Sequence, residues 1–338
     1  MKTIRFITLI LIAVTIPSVL SAQSKVGTTV GQFLKVEPDA RIAAMGNSGT
    51  AVFGNAAASF YNPGSLGKLQ STDVQFTYNK WFADISYNYG IAATHLSGIG
   101  TLSLQLTSLN SGEIDVRTVE QPLGTGERYS VNSIAIGLGY GTMLTDRVSV
   151  GIIINLIQES IWHSTMTNFG LNFGVLYQVE EGGLTLGASV SNFGPRSGYD
   201  GRDLYIDYDF DPDKYGDNDG LPAELRTDDY SLPTVFRVGI SYPITISRGN
   251  SLLLSVDALH PNDNYEKLSV GAEWTFFEMF AVRGGYRDLF VDDSEGGLML
   301  GAGINLKVND YSNVRFDYAW ADYGRLDQVH RFTVGLGL

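Results

Sequence analysis

Thr101-Leu-Ser-Leu-Gln-Leu-Thr107 alternates without a break: Leu102, Leu104 and Leu106 fall on one side of an extended chain, and Thr101, Ser103, Gln105 and Thr107 on the other. Side chains separate this way only in a strand, so the stretch is a strand with one greasy and one wet face. The zigzag begins at Val74, Phe76 and Tyr78, continues through Ile85, Tyr87, Tyr89 and Ile91, and returns after residue 107 in Ile134, Ile136, Leu138 and Tyr140. It recurs to the end of the chain, finishing in Phe332, Val334, Leu336 and Leu338. About fourteen such segments follow residue 72, each near the roughly 9–11 residues of a tilted membrane strand.

A two-layer soluble sandwich would show the same period, but connection lengths separate the two cases. In a barrel whose first strand starts at the periplasmic rim, connections after odd-numbered strands are external and those after even-numbered strands periplasmic. The long connections, 110–129, 192–232 and 289–295, all follow odd segments, while the short ones, 97–98, 145–146, 181–183 and 308–310, all follow even ones. The fold expected is therefore an all-β membrane protein, a 14-stranded antiparallel outer-membrane β-barrel whose apolar faces, Tyr87, Tyr89 and Ile91 included, meet lipid. Tyr140, Tyr177, Tyr242, Trp274 and Trp320 near segment ends fit interface girdles.

Ahead of the wall, residues 32–69 carry no alternation and are rich in Gly and Ala. Small side chains let backbone approach backbone, as a plug inside a narrow lumen requires, so residues 23–71 are read as an N-terminal hatch and 72–338 as the barrel. Asp39 caps a short predicted helix towards Met45. Asn62, Pro63 and Gly64 stop the hatch sharply, because proline disfavours helix at the residue before it and glycine tolerates unusual dihedrals. Gly137, Gly139 and Gly141 lie inside an alternating segment with no helix after it, which excludes a dinucleotide loop; on the lumen face they leave room for the plug or let the wall bend.

Composition supports this reading. Of 338 residues 17% are charged, against about a quarter in ordinary soluble domains, while 12% are aromatic and 39 are Gly. A formal charge of −13 with no basic cluster excludes a nucleic-acid partner, and with no Cys there is neither a disulfide framework nor a lipidated cysteine. Lys2 and Arg5, the apolar stretch 6–16 and the small residues before Gln23 form an export signal over residues 1–22, which with the barrel implies the Gram-negative outer membrane.

Catalytic signatures are missing. His95, His163, His260 and His330 are scattered without metal-ligand spacing, and no G-x-S-x-G elbow exposes a serine, so no enzyme is expected. Residues 200–229 hold ten Asp and Glu224 against Arg202, Lys214 and Arg226. Asp209, Asp211, Asp213, Asp217 and Asp219 are spaced as oxygen ligands could be, and calcium is the ion they would take, but Lys214 and Gly220 stand where a helix–loop–helix calcium loop needs Gly and Glu. The segment is read as a solvated external loop that could meet a cation or a basic partner. No other cofactor is expected.

Several motifs resemble the PorV/PorQ family: Gly31-Gln-Phe-Leu-Lys35, Asp39-Ala-Arg-Ile-Ala-Ala-Met-Gly46, Phe60-Tyr-Asn-Pro-Gly-Ser-Leu66, Ser231-Leu-Pro-Thr-Val-Phe-Arg-Val-Gly239, Asp257-Ala-Leu-His-Pro-Asn-Asp-Asn-Tyr265 and Arg283-Gly-Gly-Tyr-Arg287. The ending Val329-His-Arg-Phe-Thr-Val-Gly-Leu336 extends the resemblance, and Asn62-Pro63 is also similar to the hatch of the wider FadL-like barrels. The resemblance implies a barrel of the type IX secretion system that receives secreted cargo by its C-terminal domain and passes it to surface-attachment components. Loops 110–129 and 192–232 would then face the cargo. The competing expectation is a FadL-like transporter of hydrophobic small molecules through the lumen.

Overall fold

The computed structural model describes residues 26–211, 213, 220–291, 294–309 and 311–338. The export signal expected over residues 1–22 lies outside them. Fourteen long strands form the wall: β1 Asp73–Lys80, β2 Ser86–Leu96, β3 Gly100–Asn110, β4 Val131–Met143, β5 Val148–Ile161, β6 Ser164–Gln178, β7 Thr185–Phe193, β8 Val235–Ser247, β9 Asn250–Pro261, β10 Lys267–Phe276, β11 Phe280–Leu289, β12 Leu298–Lys307, β13 Asn313–Asp322 and β14 Gln328–Gly337. Each pairs antiparallel with the next, and β14 returns to β1 from Asp73↔Gly337 to Lys80↔His330, so no edge remains open. Thr72 and Leu338 finish this seam by exchanging two backbone hydrogen bonds of 3.1 and 2.8 Å.

Burial along the wall is inverted relative to a soluble sheet. In β1, Gln75 is 2% exposed and Phe76 53%, and Asp73, Thr77 and Asn79 are buried while Val74 and Tyr78 are exposed. Polar side chains therefore face a filled interior and apolar ones face outward, the arrangement that lipid selects. Leu336 and Leu338 at the end of the chain point outward as expected. Among the described residues no helix is long and apolar enough to cross a membrane.

Strand β2 departs from expectation. Tyr87, Tyr89 and Ile91 point inward, with Tyr89 0% exposed, and Asn88, Gly90 and Ala92 take the outer face. The zigzag is present, but its apolar side is not the lipid side. The cause lies opposite: here the lumen is filled by Ala56, Ala57, Leu66 and Leu69, and the β2 aromatics complete that apolar cluster.

Consecutive antiparallel pairing puts connections after odd strands on one rim and those after even strands on the other. One rim carries the excursions 111–130, 194–234 and 290–297, and the other only the short links 97–99, 144–147, 179–184, 248–249, 277–279 and 308–312. The longest excursion folds a ribbon of its own, Tyr205–Tyr208 against Leu221–Glu224, and the excursion 111–130 pairs Ile114–Asp115 with Arg128–Tyr129.

Candidate functional site

Residues 30–69 run inside the ring, contacting wall residues of the polar, inward face. They enter at the rim of the long connections, where Val30 N donates to Ser231 O at 3.1 Å, and leave at the other rim beside Thr72 and Leu338. The segment is a chain of short turns: 3-10 turns Gln32–Lys35, Ala56–Phe60 and Pro63–Lys68, and one helical turn, α1 Ala40–Ala43. Asp39 caps α1 as expected, accepting from Arg41 N at 3.1 Å, and also from Asn55 Nδ2 at 3.2 Å and Gln75 Nε2 at 3.1 Å.

Glycines in the wall make room for this segment. A methyl group at Gly141 would stand 2.5 Å from Cβ of Leu66, and one at Gly174 would stand 1.9 Å from Oδ1 of Asn62. No side chain fits either place, so Gly141 of the glycine run makes room for the inner segment, while a methyl group at Gly137 would meet Gln105 and Asn155 of the neighbouring strands instead.

Asn62, Pro63 and Gly64 come together against β5 and β6. Asn62 Nδ2 donates to Thr50 O at 2.7 Å and to Val175 O of β6 at 2.9 Å, and its Oδ1 accepts from Gly64 N at 2.9 Å. Pro63 takes the first position of the following turn, where no backbone donor is needed. One side chain thus ties the inner segment to itself and to the wall.

Charged contacts hold the other side of the segment. Arg41 grips Glu273 of β10 through Nε at 2.9 Å and Nη2 at 2.7 Å; Glu273 accepts from Arg283 of β11 at 2.6 Å, and Arg283 reaches Asp317 of β13 at 2.7 Å. Arg315 of β13 pairs with Asp73 of β1. Thr50 donates to Asp257 of β9 through N at 2.8 Å and Oγ1 at 2.6 Å. Sequence reasoning missed these residues. Their signal was a charge at the inward position of an otherwise alternating strand, as at Glu273 between Ala272 and Trp274.

At the entry rim, Asp263 accepts from Thr29 Oγ1 at 2.8 Å, Gln32 Nε2 at 2.7 Å and Lys35 Nζ at 2.8 Å. Burial would raise this carboxyl, but the three donors and the Lys35 charge outweigh it and hold it below its ordinary value of 3.8. Gly31 N donates to Glu159 Oε2 of β5 at 2.9 Å, so the first turn is fixed from two directions.

Open spaces flank this region on both sides, the roomiest of them, about 900 Å³, beside Phe53, Lys68 and Arg147 at the short-link rim. Outside, a groove of about 760 Å³ lies between the excursion 111–130, the β5–β6 turn and the start of the longest excursion, lined by Ile114, Val116, Tyr129, Ile161, Trp162 and Tyr199 with polar residues at its edge. Trp162 and the neighbouring His163 stack at 4.5 Å, and Trp162 takes a left-handed backbone with φ 53°. On the short-link side a polar space of about 430 Å³ is lined by Arg41, Glu273, Arg283, Arg315 and Asp317.

The acidic series is only partly in view. Asp209, Asp211 and Asp213 lie on the longest excursion, where Asp211 N donates to Asp209 Oδ1 at 3.0 Å; Asp217 and Asp219 lie outside the described residues. Among the described residues no group of His, Asp and Glu is arranged to hold a metal ion. The four histidines stay apart, each bonded near its own strand end, His163 to Asp203 at 2.7 Å and His330 to Tyr318 at 2.8 Å among them.

No protein-family model and no curated protein sequence matches the chain. Solved structures do. The toluene transporter TbuX of Ralstonia pickettii is 12% identical and superposes with a TM-score of 0.54 over 90% of this chain and 98% of its own. The toluene transporter TodX of Pseudomonas putida is 11% identical, with a TM-score of 0.56 over 88% of this chain and 96% of its own. The fold resembles that of the FadL-like outer-membrane barrels. A FadL homologue of Pseudomonas aeruginosa, 11% identical with a TM-score of 0.53 over 89% of this chain and 98% of its own, agrees with that. Identities this low establish the FadL-like architecture and nothing finer.

Proposed function

We propose that the protein is a non-enzymatic outer-membrane transporter of hydrophobic small molecules. The groove at the mouth carries this reading: its lining is mainly aliphatic and aromatic, and its volume of about 760 Å³ is that of a small-molecule site. Burying an apolar ring there removes it from water at about 25 cal/mol per Å² of area covered, enough for weak capture ahead of the lumen. The neighbours' transport of toluene supports the same class of cargo. Residues 30–69 would act as the hatch, with Asn62, Pro63 and Gly64 as its fixed point. Titrating the purified protein with naphthalene while following tryptophan emission tests this. Saturable quenching that disappears in Trp162→Ala and weakens in Ile161→Ser is expected; quenching unchanged in Trp162→Ala would discard the groove as the capture site.

A second reading, a type IX carrier of secreted proteins, is supported by the PorV/PorQ-like motifs and by one surface. Tyr205, Tyr208, Phe210 and Leu225 stand exposed on the longest excursion, Phe210 at 78%, a pattern suited to a protein contact. Deleting residues 205–224 would abolish co-purification of secreted proteins under this reading and leave naphthalene binding intact under the first.

A further inference from the structure

Between the inner segment and the wall lies a cavity of about 100 Å³, distinct from the outer groove, whose lining includes four cationic side chains, Lys35, Arg237, Lys267 and Arg287, and two carboxylates, Glu37 and Asp288. Three of the cations are answered nearby. Lys35 meets Asp263 at 2.8 Å, Lys267 meets Asp288 at 2.8 Å, and Arg287 meets Asp288 at 3.3 Å and Glu37 at 3.8 Å. Arg237 is different. It is 3% exposed, its Nη1 donates to Ser191 Oγ at 2.8 Å, and it makes no ion pair among the described residues. Glu37 and Asp257 attract it only from farther off. A guanidinium taken out of water without an adjacent counter-charge is strongly unfavourable unless an anion joins it. Asn47 stands in the same lining, on a left-handed backbone with φ 62°, and its Oδ1 is buried without a hydrogen-bond partner among the described residues.

We propose that this cavity is a binding site for one hydrogen phosphate ion, held by the Arg237 guanidinium, with Lys267 and Arg287 beside it and Asn47 Oδ1 accepting the ion's own hydroxyl. Arg presents a planar fork that matches two phosphate oxygens, and Asn47 Oδ1 asks for a donor, which sulfate and phosphodiesters lack. The space is well below the roughly 300 Å³ at which sites for organic ligands begin, so neither an acyl chain nor an aromatic cargo enters it. The bound ion joins β8, through Arg237, to the inner segment, through Asn47, and fastens the segment to the wall. This site does not depend on the transporter reading.

Calorimetric titration of the folded full-length barrel in detergent with inorganic phosphate tests the assignment. One saturable site per barrel is expected, with affinity reduced at least tenfold in Arg237→Met and severalfold weaker for sulfate than for phosphate. No saturable binding by the wild-type protein, undiminished binding by Arg237→Met, or equal affinity for sulfate would overturn it. Should Arg237→Met fail to fold, hydrogen exchange of the wild-type protein decides: phosphate slows exchange over residues 35–47, and unchanged rates reject the site.

Discussion

Asn62 shows how much one side chain can carry in a segment with almost no regular structure. Its amide spans Thr50 O, Val175 O and Gly64 N. Asn62→Ala removes the donor to Thr50 O and Val175 O and the acceptor for Gly64 N, and should cost about 1–3 kcal/mol, read as a lower heat or urea midpoint of the folded barrel. Asp263 supplies a pH-dependent counterpart. Its carboxyl is held below the ordinary value, so the stability it lends is complete above pH 3.8 and is lost as the pH falls through its lower folded value. The protection of the Phe33 and Leu34 amides, taken relative to their intrinsic exchange rates at each pH, should therefore fall on acidification below about pH 4. In Asp263→Asn it should be low already at neutral pH, because Lys35 and Gln32 lose their charged acceptor.

Strand β2 marks where an element stops being legible from its own residues. Alternation announces a strand and divides its side chains into two sets, but it does not say which set meets lipid. In β3 and β4 the apolar set faces outward; in β2 it faces inward, because an apolar part of the inner segment lies opposite. Only residues far away in sequence settle the choice, and no local pattern records them. The same limit hid Glu273, Arg283 and Asp317, whose roles depend on Arg41 reaching from the inner segment to the wall. Strand number, closure and the asymmetry of the rims were legible, since period and loop length are local quantities. The inversion makes a mutational prediction. Tyr89→Ala, which removes a ring packed edge-on to Phe60 at 6.2 Å, should destabilise the barrel by about 3 kcal/mol or more. Asn88→Leu on the outer face should be neutral or stabilising in lipid, and the paired denaturation midpoints in vesicles would show the contrast.

At the scale of the whole molecule, a closed wall separates stability from the excursions it displays. Among the described residues the ribbon Tyr205–Tyr208 and Leu221–Glu224 pairs only with itself, so removing residues 205–224 should leave the thermal midpoint within a few degrees of the intact protein, followed by heat-dependent mobility on a denaturing gel. Replacing Glu273 by Gln acts oppositely: it strips a buried charge from between Arg41 and Arg283, and a loss of about 3–5 kcal/mol is expected in the same assay. The path of residues 30–69 through the ring has one more consequence. Thr29 and Val30 meet Ser231 at the rim of the long connections, whereas Thr72 and Leu338 close the seam at the opposite rim, so this segment adds a crossing to the fourteen of the wall. A short epitope inserted at Gly27 should accordingly be stained on intact cells, and one placed after residue 338 only once the outer membrane is permeabilised.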